Sequence, residues 1–497
     1  MSDWTDFLNS SKSYVVAAAG HGKTYAIVNC VELLSSTVSK PILILTHTHA
    51  GVASIREKIR RRNIQPAIYQ IETISSFAQR YVLSLSLDIT SFPLAKDDSY
   101  FREINSVASI LFKKKSVQKI LNTSYSHLFV DEYQDCSIIQ HQILSSMAEV
   151  LPIHIFGDPL QSIFSFTEEP KIEFGTHLVG YDRFCLLETP WRWKVNDNSS
   201  KLGDWILNAR KSLLENKSIL LKTDLLSNIQ VFINDKESKD KGDDSYFKLI
   251  RDSVNRFKTE STLVIVPSYY DESRRFYGII NDRVDILSRI DYCHNFTLIE
   301  AMDDNSFYST AELIDSLIKS INRSRDKVKK TRKAINSFDF KKGDLDVWFS
   351  GSNISRRQKE NKEPSEKLKF MFDTFFTNPT LKAFRDIILF FSQDRHYHSK
   401  RPDKLFALLK CINESINTGE SVYDCMFQYF NNIRRNGRKI EGKCIGTTLL
   451  TKGLEFDNVI ILDAHRFSDK ENFYVAISRA CKNLVIITKQ QQLSFSH

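Results

Sequence analysis

Two short stretches carry residue types that could transfer a phosphoryl group. The first is Gly20-His21-Gly22-Lys23-Thr24. An apolar run at 13–19 leads into it, and residues 25–34 leave it with helical spacing. Strand, glycine turn, then helix is the context a phosphate-binding loop requires. The glycines let backbone N–H groups close around an anion, and the helix N-terminus adds favourable partial charge. On this reading Ala19, Gly20, His21 and Gly22 form the cradle. Lys23 reaches the β- and γ-phosphates, and Thr24 ligates Mg²⁺. The generic pattern opens on glycine, whereas Ala17 stands at that position. The second stretch is the pair Asp131-Glu132, which ends another apolar run at 126–130. An acidic pair at the C-terminal end of a strand suits Mg²⁺ chemistry: Asp131 to hold the metal, Glu132 to polarise the attacking water. A chance Gly-Lys-Thr and a solvated acidic turn are the bland alternatives. Two halves of one ATP site in the right order argue against both. ATP and Mg²⁺ are the cofactors implied.

Further segments narrow the field. Residues 42–56 read as a strand followed by Thr46-His47-Thr48 and a helix. Thr73-Ile74-Ser75-Ser76-Phe77, Asp131-Glu132-Tyr133-Gln134-Asp135 and Phe156-Gly157-Asp158-Pro159-Leu160-Gln161 follow, the last running on to Phe164 and Phe166. Then come Pro190-Trp191-Arg192, the stretch 447–456 with Lys452, Gly453 and Glu455, and Tyr474-Val475-Ala476-Ile477-Ser478-Arg479-Ala480. In this order they resemble motifs Ia through VI of the UvrD-like superfamily 1 DNA helicases, and the resemblance frames the chain from residue 13 to residue 484. The stretch 210–440 carries few family motifs. The phosphate loop departs from the family's A-G-A-G-S-G-K-T at Ala18 and His21. His47 stands where relatives carry a Phe that stacks on single-stranded DNA. Residues 1–16 hold no match for the adenine-reading Gln. Thr167-Glu168 replaces the Arg-Gly of motif III.

The resemblance implies roles. Arg192 and Arg479 act as arginine fingers, each worth roughly 10³–10⁵ in rate. Gln161 senses the γ-phosphate. Glu455 lies near the ribose, and the backbone around Gly453 lies near the phosphates. Tyr25 and Trp191 are candidates to sandwich the adenine. Sequence-tolerant DNA binding needs aromatic platforms and cationic contacts. Its candidates are Thr46, His47, Thr48, Phe77, Phe164 and Phe166, with Phe77 and Phe164 open to a packing role instead. Basic clusters at Arg56–Arg62 and Lys113–Lys115, at 323–333, and at Arg434, Arg435, Arg438 and Lys439 add an electrostatic track.

These pieces must be positioned by an α/β architecture. The resemblance implies two RecA-like P-loop NTPase domains with inserted, mainly helical subdomains. Domain 1A is expected at 1–77 and 122–185, with a short 1B insert at 78–121. Domain 2A is expected at 186–290 and 441–497, with a 2B-like helical insert at 291–440. Apolar spacing predicts helices over 311–321, 381–391 and 405–416, and a loop within the lysine-rich stretch 341–367. No repeat of solenoid period is present. The short 1B argues against long-range unwinding. With no spare carboxylate cluster in these residues, a fused nuclease domain is not expected.

Composition bounds the class. The chain has 497 residues, 42% hydrophobic and 26% charged, with formal net charge +9. That composition supports packed cores, and the positive balance suits a polyanionic partner. Eight cysteines without any C-x-x-C pair argue against a disulfide framework or a zinc site. No basic-then-apolar leader opens the sequence, and no apolar run reaches the ~18–20 residues of a membrane span. A cytoplasmic protein without membrane contact is expected. Two functions fit. One is a DNA-stimulated helicase or translocase of 3′→5′ polarity. The other is a DNA-end-sensing ATPase beside a partner nuclease, similar to the helicase-like subunit of Gabija-type anti-phage systems.

Overall fold

The computed structural model describes residues 2–85, 98–163, 172–194, 199–222, 228–240, 244–257, 260–270, 274–291, 296–299, 305–340, 345–346, 348–350, 353–354, 362–393, 399–436 and 442–495. The chain divides into two compact units. One comprises Met1–Gly278, Gly437–Lys443 and Thr447–His497; the other comprises Ile279–Asn436 and Cys444–Gly446.

The first unit opens on helix α1 (Ser2–Asn9) and strand β1 (Lys12–Val16). Helix α2 (Lys23–Leu34), β2 (Ile42–Thr46), α3 (His49–Arg61), β3 (Tyr69–Thr73) and α4 (Ile74–Leu85) follow. Then come α5 (Asp98–Leu111), α6 (Lys115–Ser124), β4 (Leu128–Val130), α7 (Ile138–Met147), β5 (Ile153–Gly157) and β6 (Asp182–Phe184). The six strands form one sheet in the order β3-β2-β4-β5-β1-β6. All its pairings are parallel. A parallel sheet is covered on both faces, so its central strands read as unbroken apolar runs. β2 and β5 are buried at every position. β1, β2, β4 and β5 therefore present their C-terminal ends side by side, the edge at which open α/β sheets bind ligands.

A second parallel sheet in the same unit sets Thr262–Ile265, Phe456–Ile461, Ala480–Thr488 and Ile229–Ile233 side by side in that order. The chain is thus α/β, with two RecA-like layers. The strand read from sequence at the start of residues 42–56 is found at Ile42–Thr46.

Helices α5 and α6 do not build a core of their own. Tyr100, Ile104, Ala108 and Leu111 of α5, and Val117 and Leu121 of α6, share one apolar cluster with Leu43, Leu128, Val130 and Ile143 of the sheet layer.

The second unit is mainly helical, with helices Asn305–Ser320, Lys327–Asn336, Lys362–Thr377, Leu381–Gln393, Pro402–Thr418 and Val422–Asn436. Its core is rich in phenylalanine: Phe338, Phe372, Phe375, Phe384 and Phe391 are all buried in one cluster. Of the stretch 341–367 expected to contain a loop, much lies outside the described residues; Phe349–Ser350 pairs antiparallel with Asn353–Ile354, and the helix Lys362–Thr377 begins at its end. The helix's buried Leu368, Phe372 and Phe375 recur at helical intervals, and Lys362 and Lys367 fall in its first two turns. Among the described residues no helix is long and apolar enough to cross a membrane.

Candidate active site

The phosphate loop leaves β1 alongside β5, with Ala17 N–H donating to the Gly157 carbonyl at 3.1 Å. It turns through Gly20 (φ +74°) and Gly22 (φ +84°), and α2 starts at Lys23. The left-handed region is open to glycine at little cost. At Gly20 a second demand applies, because a Cβ there would lie 3.0 Å from both Arg192 Cβ and Trp193 Cζ3. Lys23 turns its ammonium back into the loop and donates to Ala17 O at 2.8 Å and Ala18 O at 3.3 Å. His21 is buried, with Nδ1 3.0 Å from the Ala19 carbonyl, which fixes Nδ1 as the protonated nitrogen of the neutral ring. Burial lowers its pKa against the pull of that carbonyl, and neighbouring Lys23 and Arg210 lower it further.

Asp131 and Glu132 leave the end of β4. Thr24 Oγ1 donates to Asp131 Oδ2 at 3.4 Å, and Glu132 N–H donates to Asp131 Oδ1 at 3.0 Å. Glu132 itself is left-handed, at φ 55°. Holding a non-glycine residue there costs roughly 1–3 kcal/mol, and such strain concentrates at working sites. Burial, with Glu132 beside it, pushes Asp131 up to about 7. Glu132 is also desolvated, yet Lys23, Lys452 and the Gln134 amide outweigh burial and hold it below the usual carboxylate range. Thr24 and Asp131 offer a hydroxyl and a carboxylate, hard oxygen donors of the kind Mg²⁺ takes in small number while keeping water and phosphate. That fits a metal shared with a nucleotide. Among the described residues no group of three or more His, Cys, Asp or Glu could hold a metal alone.

The motifs connect through hydrogen bonds. The Gln134 amide donates to Glu132 Oε2, and Gln134 Oε1 accepts from Asp158 N–H at 2.9 Å. Asp158 Oδ2 accepts from Gln161 Nε2 at 2.9 Å. Gln161 Oε1 faces an Arg479 nitrogen at 3.4 Å. The Lys452 ammonium donates to the Gln161 carbonyl at 2.6 Å and to the Asp135 carboxylate. Arg479 is buried, and its other donors meet Val475 O, Leu454 O and Ser478 Oγ at 3.0–3.1 Å. Burial beside Arg192 brings it down to about 10, still protonated at neutral pH. Arg192 donates from its backbone to Gly20 O at 3.1 Å and from its side chain to Ser478 O and the Glu455 carboxylate. Trp193 is buried and donates its indole N–H to Ala480 O at 2.9 Å.

Thus the structure brings Ala19 to Thr24, Asp131, Glu132, Gln161, Arg192, Glu455 and Arg479 into one network. Gly453, at φ 80°, is exposed directly after Lys452. Tyr25 and Trp191 both keep open ring faces, at 51% and 57% exposure. Lys58 of α3 lies 5.0 Å from the Tyr25 ring centroid. Burial lowers the Lys58 pKa, partly offset by Glu455 and Asp131, which ties this cluster member to the nucleotide loop.

The expected DNA set is divided. Thr48 is exposed and caps α3, its hydroxyl accepting from Gly51 N–H at 3.0 Å. His47 is half-buried; burial and nearby Lys452 lower its pKa to about 4, so the ring is neutral. Thr46 needs correction, and Phe77 takes the packing alternative left open for it. Thr46 is fully buried as the last residue of β2. Phe77 is fully buried on the inward face of α4, among Tyr81, Phe112 and Tyr125 with Arg80 over its ring. Neither offers a face to a base. Phe164 and Phe166 lie outside the described residues, as do the side chains of Arg434, Arg435, Arg438 and Lys439.

Three residues without an assigned role in the sequence reading belong here. Tyr474 OH accepts from Ala19 N–H at 3.0 Å. Asp158 is fully buried, and Arg210 meets it at 2.7 Å. Asp158 and Tyr474 stand inside recognised motifs, so their spacing could have drawn attention. Arg210 stands in none.

Residues 5–167 match a family model described as an AAA domain. RecBCD enzyme subunit RecB of Buchnera aphidicola subsp. Schizaphis graminum is 24% identical over 190 residues, 36% of this chain. The chain spans 15% of the length of that curated relative. Among solved structures, the Pif1 helicase from Candida albicans is matched at TM-score 0.34 and 11% identity, over 99% of this chain and 95% of that one. A complex of arterivirus nonstructural protein 10 (helicase) with DNA is matched at TM-score 0.26 and 11% identity, over 52% and 49%. The motif set together with the AAA and RecB matches makes the chain similar to superfamily 1 helicases.

Proposed function

We propose that the chain is an ATP-dependent DNA helicase or translocase of the UvrD type, moving 3′→5′ on single-stranded DNA. The observation that carries this reading is the hydrogen-bonded path Glu132–Gln134–Asp158–Gln161–Arg479. It joins the carboxylates beside the first sheet to an arginine beside the second, so a change at one end is felt at the other.

Phosphoryl transfer needs positioning and charge neutralisation more than covalent chemistry. Lys23 would leave the loop carbonyls for the β- and γ-phosphate oxygens. Thr24 and Asp131 would hold Mg²⁺, which supplies positive charge against the transferring phosphate. Glu132, kept ionised by its cationic neighbours, would orient the attacking water and take its proton. Arg192 and Arg479 would stabilise the charge developing on the γ-phosphate. Tyr25 and Trp191 would hold the base, and Lys58 would support Tyr25. Gln161, touched by Asp158, Lys452 and Arg479, would read the γ-phosphate and pass its loss to the DNA side. There His47 and Thr48 would contact the strand.

The test is steady-state ATP hydrolysis by the purified chain, with Lys23→Ala as control. Rates are compared without nucleic acid, with single-stranded DNA of increasing length, and with blunt duplex. Stimulation that grows with strand length supports a translocase. No ATP turnover above the Lys23→Ala control rules it out.

A second reading is an ATPase subunit that responds to DNA ends beside a partner nuclease. The fusion of α5 and α6 into the first sheet's core favours it, because those helices do not form a separate arm. Stimulation set by the number of duplex ends and indifferent to length would support this alternative.

A further inference from the structure

Arg210 lies on helix Ser200–Leu214, outside every motif of the ATP site. Its guanidinium nonetheless reaches the motif III carboxylate Asp158 at 2.7 Å, with side-chain exposures of 11% and 0%. The same guanidinium carbon sits 5.4 Å from the ring centroid of Tyr474, whose hydroxyl accepts from the phosphate-loop nitrogen of Ala19. Asp158 has further duties: Oδ1 also caps Leu160 N–H at 3.3 Å, and Oδ2 holds the Gln161 amide. One cation thus fixes two things at once, the carboxylate that aims Gln161 and the ring that braces the loop.

We infer that Arg210 is a positioning residue of the ATPase cycle, coupling the phosphate loop to Gln161 through Asp158 and Tyr474. The inference rests on the ATPase reading proposed above. A buried carboxylate is held in place only while its partner remains; removing one member leaves the other charged and desolvated. The Asp158 side chain would then be free to rotate, and Gln161 would lose its anchor. Arg210 itself touches neither nucleotide nor water in this scheme. Its loss should therefore lower turnover and leave the cradle that binds ATP in place.

The experiment measures kcat and KM for ATP, equilibrium binding of a fluorescent ATP analogue, and thermal melting. It compares wild type, Arg210→Met, Arg210→Lys and the double variant Asp158→Asn/Arg210→Met. Arg210→Met should lose at least about tenfold in kcat, a loss of ~1.4 kcal/mol or more in transition-state stabilisation. Its KM and analogue affinity should stay within about threefold, since the cradle contacts are untouched. Arg210→Lys, which keeps a cation on Asp158, should recover most of the loss. Should Arg210→Met fail to fold, the double variant removes the unpaired charge and restores melting; its kcat should still be low, because Asn has one acceptor oxygen where Asp158 offers Oδ1 to Leu160 and Oδ2 to Gln161. Wild-type kcat in whichever of these two variants is folded overturns the inference. So does a uniform loss of affinity and rate, which marks a merely structural residue. If wild type hydrolyses no more ATP than Lys23→Ala, the ATPase reading itself has failed, a result separate from any ranking of the Arg210 variants.

Discussion

Gly20 and Gly22 make a matched pair for testing how the phosphate loop is built. Both are left-handed, at φ +74° and +84°. Alanine at either position carries the same backbone penalty, roughly 1–2 kcal/mol. Restricting the unfolded chain returns about 0.4–1 kcal/mol in both cases. The surroundings differ. At Gly22 the nearest atom to a new Cβ is Trp191 Cδ1 at 3.5 Å, an ordinary contact with an exposed ring. At Gly20 the new Cβ meets Arg192 Cβ and Trp193 Cζ3, each at 3.0 Å. Trp193 cannot retreat easily, because its indole is bonded to Ala480 O and its ring packs on Gly203. Overpacking of that kind costs about 1–3 kcal/mol. Gly20→Ala should therefore be less stable than Gly22→Ala by that amount. Urea unfolding without nucleotide is the assay; with a slope of about 3 kcal/mol per molar, the midpoints should differ by about 0.3–1 M. ATP binding should rank the variants the other way, since Gly22 immediately precedes Lys23 and its Cβ would crowd the phosphates. A Gly20→Ala midpoint at or above that of Gly22→Ala would refute the claim that Arg192 and Trp193 form a rigid back wall.

Three further outcomes are expected. Glu132→Gln should retain ATP binding and lose turnover by at least about 10²-fold, the lower range for a positioned base; wild-type hydrolysis would remove Glu132 from the mechanism. Lys452→Met strands the buried Asp135 carboxylate and should destabilise the first unit by about 3–5 kcal/mol, with Asp135→Asn in the same chain restoring most of the loss. Independent, additive effects in that cycle would show the pair is uncoupled. Glu237 is fully buried; hydrogen bonds from His465, Arg466, Lys489 and Lys239 outweigh its burial and hold its carboxyl far below the usual range. Its folded pKa lies below its unfolded value, so its contribution is complete above about 4.5 and fades as pH falls beneath that. Melting scans from pH 7 to pH 3 should show an acid loss that is reduced in Glu237→Gln, and parallel profiles would contradict the assignment.

Much of this was legible in the sequence because the chemistry sits in short segments. Lys23, Asp131, Gln161 and Arg479 each stand in a local pattern whose spacing marks a candidate, and the structure draws all four into one network. The strands were legible too, since a doubly covered parallel sheet writes each one as an apolar run. Thr46 was misplaced, and Phe77 took the packing alternative left open for it, for one reason. A motif locates a segment, but only packing decides which side of it faces outward. Both side chains point into the layer between sheet and helix. Helices α5 and α6 were harder still. Motif positions placed residues 78–121 as a short insert, while the apolar stripes of these helices are equally suited to the existing core they join. Arg210 had no signal at all: its partner Asp158 lies 52 positions away, and an ion pair at that separation leaves no local pattern.

The hydroxyl bond from Tyr474 to Ala19 spans 455 positions of chain. All six strands of the first sheet lie before residue 185, so that layer has its full complement of strands early in synthesis. At ordinary translation speeds the ribosome then needs roughly 20–90 s between emitting the phosphate loop and emitting the residues that brace it. During that interval the nascent chain carries the lysine and both carboxylates but lacks Arg479 and the tyrosine brace. A prematurely terminated product would carry the cradle and no finger from the last motif. The order of the motifs along the chain thus delays the brace: the hydrogen-bonded assembly around the phosphate loop closes only after residues 474–479 have been made.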